Sequence, residues 1–121
     1  MSILKNKTNR RNAEECKLFI RPVRDVIEII GGKWRLPILT ALSFKKHRFN
    51  ELQIQVDGIT SRMLSRELKD LELNGLIEKN SLPETTSISE YNLTPYGKSL
   101  DNILVSMRTW GTNHREKIMN V

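Results

Sequence analysis

Apolar residues recur at helical spacing in the first part of the chain, and residues that start or end helices separate the runs. The apolar positions of the first run are Val23, Val26, Ile27 and Ile30. Pro22 suits the first turn of this helix, because its missing N–H costs little there, and Gly31-Gly32 ends it. A second helix is predicted for residues 34–43, with Pro37 in its first turn.

The middle of the chain continues with two more predicted helices. The stretch 44–48 is polar and basic and is predicted to be a connection, and residues 49–56 form a short third helix. Asp57-Gly58 predicts a turn. Thr60 is a good N-cap for a fourth helix, which extends to about Asn74, ahead of a glycine that ends it.

The pattern then changes to alternation. Residues 76–82 and 87–93 alternate between apolar and polar side chains across a turn-rich tip, which predicts a β-hairpin. Thr94-Pro95 supplies an N-cap and a proline at the first helical position of a last helix, predicted over about 94–117. This order of elements is typical of a winged helix-turn-helix. The predicted fold class is therefore mainly α with a small β-hairpin wing.

The fourth helix divides its side chains between two faces. Its predicted buried stripe consists of Leu64, Leu68 and Leu71. An adjacent face carries hydroxyls and cations, namely Ser61, Arg62, Ser65, Arg66 and Lys69. Early residues of a recognition helix reach base edges in the major groove, and the arginine fork matches guanine O6 and N7. We predict that Arg62 and Arg66 contact bases, with the two serines next and Lys69 on a phosphate; the alternative is an ordinary solvated face.

Three further cations are candidates for phosphate contact. Lys46 and Arg48 precede the first helix of the motif, which usually crosses the DNA backbone, and Lys79 lies in the first hairpin strand. His47 is more typical of a plain surface histidine than of a ligand. The hairpin tip, residues 83–89, contains no arginine or lysine, so we expect the wing to contact DNA only weakly.

Composition and charge favour the same partner. The chain of 121 residues has the size of one domain, and its formal net charge of +6 favours phosphate polyanions, although a basic protein without such a partner is the alternative. Residues 1–12 carry four cations and no acid. They are predicted to form a flexible basic arm, which either touches phosphates or has no role. Residues 13–121 are predicted to form one winged helix-turn-helix domain.

Several other classes of site lack their residues in this sequence. The single cysteine, Cys16, excludes an intramolecular disulfide and indicates a reducing compartment. No apolar run approaches about 20 residues and the N-terminus has no apolar signal core, so we expect a cytoplasmic protein without membrane contact. The sequence shows neither metal-ligand spacing, nor a phosphate-binding glycine loop, nor a plausible nucleophile–base pair. We therefore expect no metal, no cofactor and no enzymatic activity.

The last helix carries an apolar seam of coiled-coil type. Its positions are Tyr96, Leu100, Ile103, Met107 and Trp110. The seam could pack on the core of its own chain, but such a helix is longer than a domain of this size needs. We therefore predict a homodimer formed by the terminal helices, with two recognition helices about 34–36 Å apart.

Several blocks of the sequence, in order over about residues 21–112, closely resemble the HxlR-type regulators. These blocks are Pro22-Val23-Arg24-Asp25, Ile30-Gly31-Gly32-Lys33-Trp34, Arg48-Phe49-Asn50-Glu51-Leu52, Gly58-Ile59-Thr60-Ser61-Arg62-Met63-Leu64, Leu68-Lys69-Asp70-Leu71-Glu72, Gly75-Leu76-Ile77 and Glu90-Tyr91-Asn92-Leu93-Thr94-Pro95-Tyr96-Gly97. The resemblance implies a bacterial winged-helix regulator that binds pseudo-palindromic operators as a homodimer and has no enzymatic activity. Many members have a cysteine directly before the Pro-Val pair, and in some it senses oxidants. Arg21 occupies that position here, so the family's thiol role carries over to no matched residue.

The sequence thus predicts a sequence-specific, DNA-binding transcriptional regulator. The alternative is a winged-helix module that binds another protein and not DNA, against which the Arg62 and Arg66 face argues. An enzyme with Cys16 as nucleophile lacks a nearby base. Cys16 is either a redox sensor or incidental, and a small-molecule effector stays unidentified.

Overall fold

In a computed structural model, the structure describes residues 9–81 and 88–120, with side chains from Asn12 onward. The elements are α1 (Asn9–Ile30), α2 (Arg35–Phe44), β1 (His47–Arg48), α3 (Phe49–Gln55), α4 (Ser61–Leu73), β2 (Ile77–Ser81), β3 (Ser89–Leu93), α5 (Pro95–Lys98) and α6 (Asp101–Met119). The prediction of a mainly α chain with a small hairpin is confirmed. The second, third and fourth predicted helices agree with α2, α3 and α4 to within about one residue at each end.

The sheet has three antiparallel strands in the order β1-β3-β2. At the base of the hairpin, Ile77 of β2 pairs with Leu93 of β3. Strand β1 pairs with the other side of β3, His47 opposite Tyr91. The prediction that residues 44–48 are only a connection is therefore wrong. A strand of two residues has no periodicity of its own, and it forms because β3 offers a free edge to pair with.

The core lies between α2, α3, α4 and the inner face of the sheet. Its most deeply buried side chains are Ile38, Leu39, Leu52, Leu64, Leu68, Leu71 and Ile77. The predicted leucine stripe of the fourth helix is thus confirmed. Burying one leucine stabilises the fold by about 1.5–3 kcal/mol relative to exposure, so this stripe holds α4 firmly against the core.

Helix α1 begins earlier than predicted. It starts at Asn9, inside the predicted arm, and Pro22 lies in its interior and not in its first turn. Proline removes one helical hydrogen bond, but the preceding stretch 13–18 is rich in good helix formers and sustains the helix. The arm prediction is therefore corrected for residues 9–12, whereas residues 1–8 lie outside the described residues.

The predicted last helix is divided in two. Thr94 caps α5 as predicted, since its Oγ1 accepts a hydrogen bond from Gly97 N at 2.9 Å. A Cβ at position 97 would overlap the carbonyl of Leu76, so glycine permits close contact between α5 and the hairpin base. The chain then turns at Ser99 and Leu100 before α6 begins. The prediction of one continuous helix over 94–117 is wrong, because the N–H groups of Ser99 and Leu100 donate to carbonyls three residues back and form a turn.

In the part of the chain that the structure describes, none of the helices combines the length and the apolar character needed to cross a membrane.

Candidate nucleic-acid interface

Helix α4 is placed by local signals on both sides. Gly58 adopts a φ of +89°, which the preceding turn requires. Thr60 has an extended backbone, and its hydroxyl accepts a hydrogen bond from Met63 N at 3.1 Å. Beyond the helix, Gly75 has a φ of +77°, and the backbone N–H of Leu76 donates to Leu71 O at 3.0 Å. These contacts fix where α4 begins and ends.

The predicted reading face is exposed. It consists of Ser61, Arg62, Ser65, Arg66 and Lys69, all of which face solvent on the side of α4 away from the leucine stripe. Ser61 Oγ also donates to Gln53 Oε1 at 3.1 Å, which connects the first turn of α4 to α3. The three cations form no ion pair with any residue in 12–81 or 88–120. Their charge is therefore available to an anionic partner.

Two acids of α4 are held by Arg35. Its Nε donates to Glu67 Oε1 at 2.8 Å, and its Nη2 donates to Asp70 Oδ2 at 3.0 Å. The Arg35 side chain is only 17% exposed, so solvent screens these ion pairs less than surface pairs. The role of Arg35 cannot be predicted from the sequence, because its partners lie 32 and 35 positions away and no local pattern connects them.

The other predicted cations lie on the sheet and not on α4. Arg48 lies on β1, opposite Glu90 of β3 in the strand register, and Lys79 lies on β2, the opposite edge of the sheet. Lys46 precedes β1, and its Nζ lies 3.8 Å from Glu90 Oε1. The structure therefore brings the five α4 residues together and leaves these three apart, all of them exposed.

The start of α3 is stabilised by an acid that the sequence analysis did not single out. Glu51 Oε1 accepts a hydrogen bond from Arg48 N at 2.8 Å. This bond lowers the pKa of Glu51 below its usual value, and nearby cations lower it further. The interaction fixes the backbone at Arg48, one of the candidate phosphate contacts.

His47 is buried and not a surface residue, so that prediction is wrong. It is 6% exposed, and its Nδ1 lies 2.8 Å from Lys45 O. Pairing of β1 with β3 places it inside, which no local signal in 44–48 indicated. Its hydrogen bond satisfies one ring nitrogen, as a buried histidine requires.

Residues 82–87, most of the predicted hairpin tip, lie outside the described residues. The expectation that the wing contacts DNA only weakly therefore stays a prediction. Trp34 is partly buried against the core. Among residues 12–81 and 88–120, no group of three or more histidine, cysteine, aspartate or glutamate side chains is arranged to hold a metal.

Comparison with known proteins agrees with this geometry. The family profile described as HxlR-like helix-turn-helix matches residues 29–119. The HTH-type transcriptional regulator YtcD of Bacillus subtilis (strain 168) is 36% identical over 104 residues, which cover 86% of this chain and 82% of YtcD.

Two solved structures are similar over most of their length. The redox regulator HypR in its reduced form is 32% identical with a TM-score of 0.75, covering 83% of this chain and 99% of HypR. A transcriptional regulator of the MarR family from Enterococcus faecalis V583 is 28% identical with a TM-score of 0.73, covering 97% of this chain and 99% of its own. The chain therefore belongs to the HxlR-like helix-turn-helix family and is a winged helix-turn-helix regulator of transcription.

Proposed function

We propose that the chain is a sequence-specific regulator that binds a pseudo-palindromic operator as a homodimer. The observation that carries this proposal is the exposed cationic face of α4 opposite a fully buried leucine stripe. The stripe holds the helix in one orientation, and the face presents three cations that form no ion pair within residues 12–81 and 88–120. A helix of this kind fits the major groove, which is wide enough to admit it.

The roles of the α4 residues follow from their side-chain chemistry. Arg62 and Arg66 are one turn apart near the start of the helix and can each form a bidentate contact with guanine, worth about 1–3 kcal/mol of discrimination. Ser61 and Ser65 lie beside them and meet bases or phosphates. Lys69 is two turns from the start and meets a phosphate. Because Arg35 holds Glu67 and Asp70, repulsion between this helix and DNA is reduced.

Phosphate contacts outside α4 are assigned to the sheet and its surroundings. Arg48 directly precedes α3, Lys46 directly precedes β1, and Lys79 lies on the opposite edge strand. Contacts of this kind set the position of the protein along the duplex but do not read sequence.

The homodimer is supported by apolar surface on both terminal helices. On α1 the exposed apolar side chains are Leu18, Phe19, Ile20, Val23 and Ile27, and on α6 they are Ile103, Val105, Met107, Trp110, Ile118 and Met119. All residues of α6 are exposed or half-buried within one chain. Apolar surface of this extent is typical of an interface, and a second copy of the same two helices would cover it.

The remaining parts of the proposal concern organisation. The residues from α1 onward act as one domain, with α6 as the main dimerisation helix. A regulator that reads the chromosome acts in the cytoplasm. A small-molecule effector is also part of the proposal, but no site on the chain is assigned to it.

Single substitutions on α4 test the proposal after operator fragments have been selected from the source genome. We expect Arg62→Ala to relax the base preference at one position of each half-site, because a bidentate contact is lost. Lys69→Ala should weaken binding to all sequences alike. The control Lys117→Ala, which deletes a cation at the end of α6, should change neither the affinity nor the base preference. Unchanged affinity and preference in Arg62→Ala would show that this arginine does not read the operator.

The same experiment tests the alternative function, a winged-helix module that binds another protein and not DNA. That alternative predicts that wild-type protein selects no fragment and shows no preference among duplexes. The exposed, unpaired Arg62 and Arg66 favour DNA over a protein partner, because phosphates and guanine edges match the guanidinium fork.

A further inference from the structure

The guanidinium of Arg35 lies where three helices meet. Besides its bonds to Glu67 and Asp70 on α4, its Nη1 donates to two backbone carbonyls at the end of α1, Glu28 O at 3.2 Å and Ile29 O at 2.9 Å. The last carbonyls of a helix have no partner within it. One side chain, carried by the first residue of α2, thus caps α1 and holds the middle of α4.

Only an arginine can make this set of contacts. Its nitrogens lie in one rigid plane and donate in several fixed directions, whereas a lysine ammonium is a point charge on a flexible stem. Here Nε and Nη2 point toward the two carboxylates and Nη1 points toward the two carbonyls. The contact therefore fixes an angle between helices as well as supplying charge.

The turn that precedes Arg35 requires glycine at two positions. A Cβ on Gly31 would overlap the carbonyl oxygen of Ile27, and Gly32 has a φ of +92°. Trp34, at the N-cap position of α2, packs against the core. Arg35 follows directly and joins α1, α2 and α4.

We propose that Arg35 is a positioning residue that fixes the orientation of α4 relative to α1, and through it the operator half-site spacing that the dimer accepts. The second part rests on the proposed function, in which α1 and α6 form the dimer and α4 reads DNA. In such a dimer, a change in the angle between α1 and α4 changes the distance between the two recognition helices. Each added base pair moves a half-site by about 3.4 Å along the duplex and turns it by about 35°. A dimer with fixed recognition helices therefore tolerates little change in half-site spacing.

Two simpler roles for Arg35 lead to different predictions. If Arg35 only neutralises Glu67 and Asp70, then Arg35→Lys keeps the charge and should behave as wild type. If it only stabilises the fold, then Arg35→Lys should lower the melting temperature and leave the orientation of α4 and the spacing preference intact. The positioning role predicts a loss of orientation even where the variant stays folded.

Distances between spin labels measure the orientation without DNA. In a Cys16→Ser background, one label is placed on the polar side of α1 by Lys17→Cys and one on α4 by Glu72→Cys, and labelled chains are diluted with unlabelled chains. We expect a narrow distance distribution in this background and a broadened or shifted one after Arg35→Lys. The matched control Arg24→Lys changes an exposed arginine of α1 in the same way and should leave the distribution unchanged. An Arg35→Lys distribution identical to that of the control would overturn the proposal.

Operators whose half-sites are one base pair closer or farther apart test the consequence for DNA binding. We expect the affinity ratio between the preferred and altered spacings to fall by about 2- to 30-fold in Arg35→Lys, the range typical of mutations that weaken coupling between distant sites. If the ratio equals that of wild type, Arg35 does not set the spacing. If wild-type protein binds no operator at all, the proposed function fails, and the label distances still decide the role of Arg35 in orientation.

A second variant keeps the test decisive if Arg35→Lys does not fold. The double change Glu67→Ala with Asp70→Ala removes both acceptors of Arg35 on α4 and leaves its bonds to the end of α1 in place. It should broaden the same distance distribution and flatten the same spacing profile. Wild-type values for both would refute the positioning role.

Discussion

Replacing Thr94 by valine removes one hydroxyl that joins two parts of the winged helix. Its Oγ1 accepts from Gly97 N at 2.9 Å and donates to Gly75 O at 2.6 Å. The first bond caps α5, and the second connects α5 to the glycine that ends α4. Valine keeps the branched shape of threonine, and the backbone bond from position 94 to Leu76 O, 3.0 Å long, stays available.

The expected loss is the sum of two hydrogen bonds. Removal of an N-cap side chain costs about 1 kcal/mol, and loss of a second bond to a backbone carbonyl costs about 1 kcal/mol more. Because Gly97 is buried, water does not readily replace the lost acceptor. The free energy of unfolding should therefore fall by about 2 kcal/mol, which corresponds to about 8 °C in melting temperature for a chain of this size.

Thermal and urea unfolding at one fixed protein concentration measure this loss, because dimerisation makes the melting temperature depend on concentration. Thr94→Ser keeps the hydroxyl and is the matched control, with an expected loss below about 1 kcal/mol. The reasoning is refuted if Thr94→Val unfolds within about 0.5 kcal/mol of wild type, or if the serine variant loses as much as the valine variant.

Two further predictions concern the ends of α3 and α5. Because the pKa of Glu51 is lowered by the bond from Arg48 N, its stabilising effect is present above the unfolded value of about 4.3 and is lost as the pH falls through the folded value. In acid titrations, the free energy of unfolding of Glu51→Gln should therefore fall less than that of wild type between about pH 5 and 3. Parallel curves of unfolding free energy against pH for the two proteins would argue against this contact. Gly97→Ala forces a Cβ against the Leu76 carbonyl and should lower the free energy of unfolding in urea by about 1–3 kcal/mol. The control Lys98→Ala, at the exposed neighbouring position, should lower it far less. Equal losses in the two variants would show that the backbone at Leu76 moves aside at little cost.

Features with local causes could be predicted from the sequence. Thr60 and Thr94 cap helices because a hydroxyl next to the first turn is sufficient. The end of α4 follows from the glycine after it, and the leucine stripe follows from helical periodicity. Strand β3 follows in part from alternation, whereas in β2 only Ile77 is buried. Each of these signals lies within a few residues of the structure it determines.

Features that depend on distant partners could not be predicted in this way. Strand β1 exists because β3, more than 40 positions later, pairs with it, and the same pairing buries His47. The close approach of α5 to the hairpin base depends on Gly97 meeting the backbone of Leu76. Arg35 appears in the sequence as one cation among many, and its role follows only from the meeting of α1, α2 and α4. Of the candidate site, the α4 face was predictable, whereas the residue that orients it was not.

The salt dependence of operator binding tests the central claim most directly. Fluorescence anisotropy with a selected duplex should show saturable binding of two chains per duplex. If Lys69, Arg48, Lys46 and Lys79 of each protomer contact phosphates, the logarithm of the binding constant should fall with the logarithm of salt concentration with a slope of about −7. A slope near zero, or no saturable binding to any fragment of the source genome, would contradict the assignment of α4 as a DNA-reading helix.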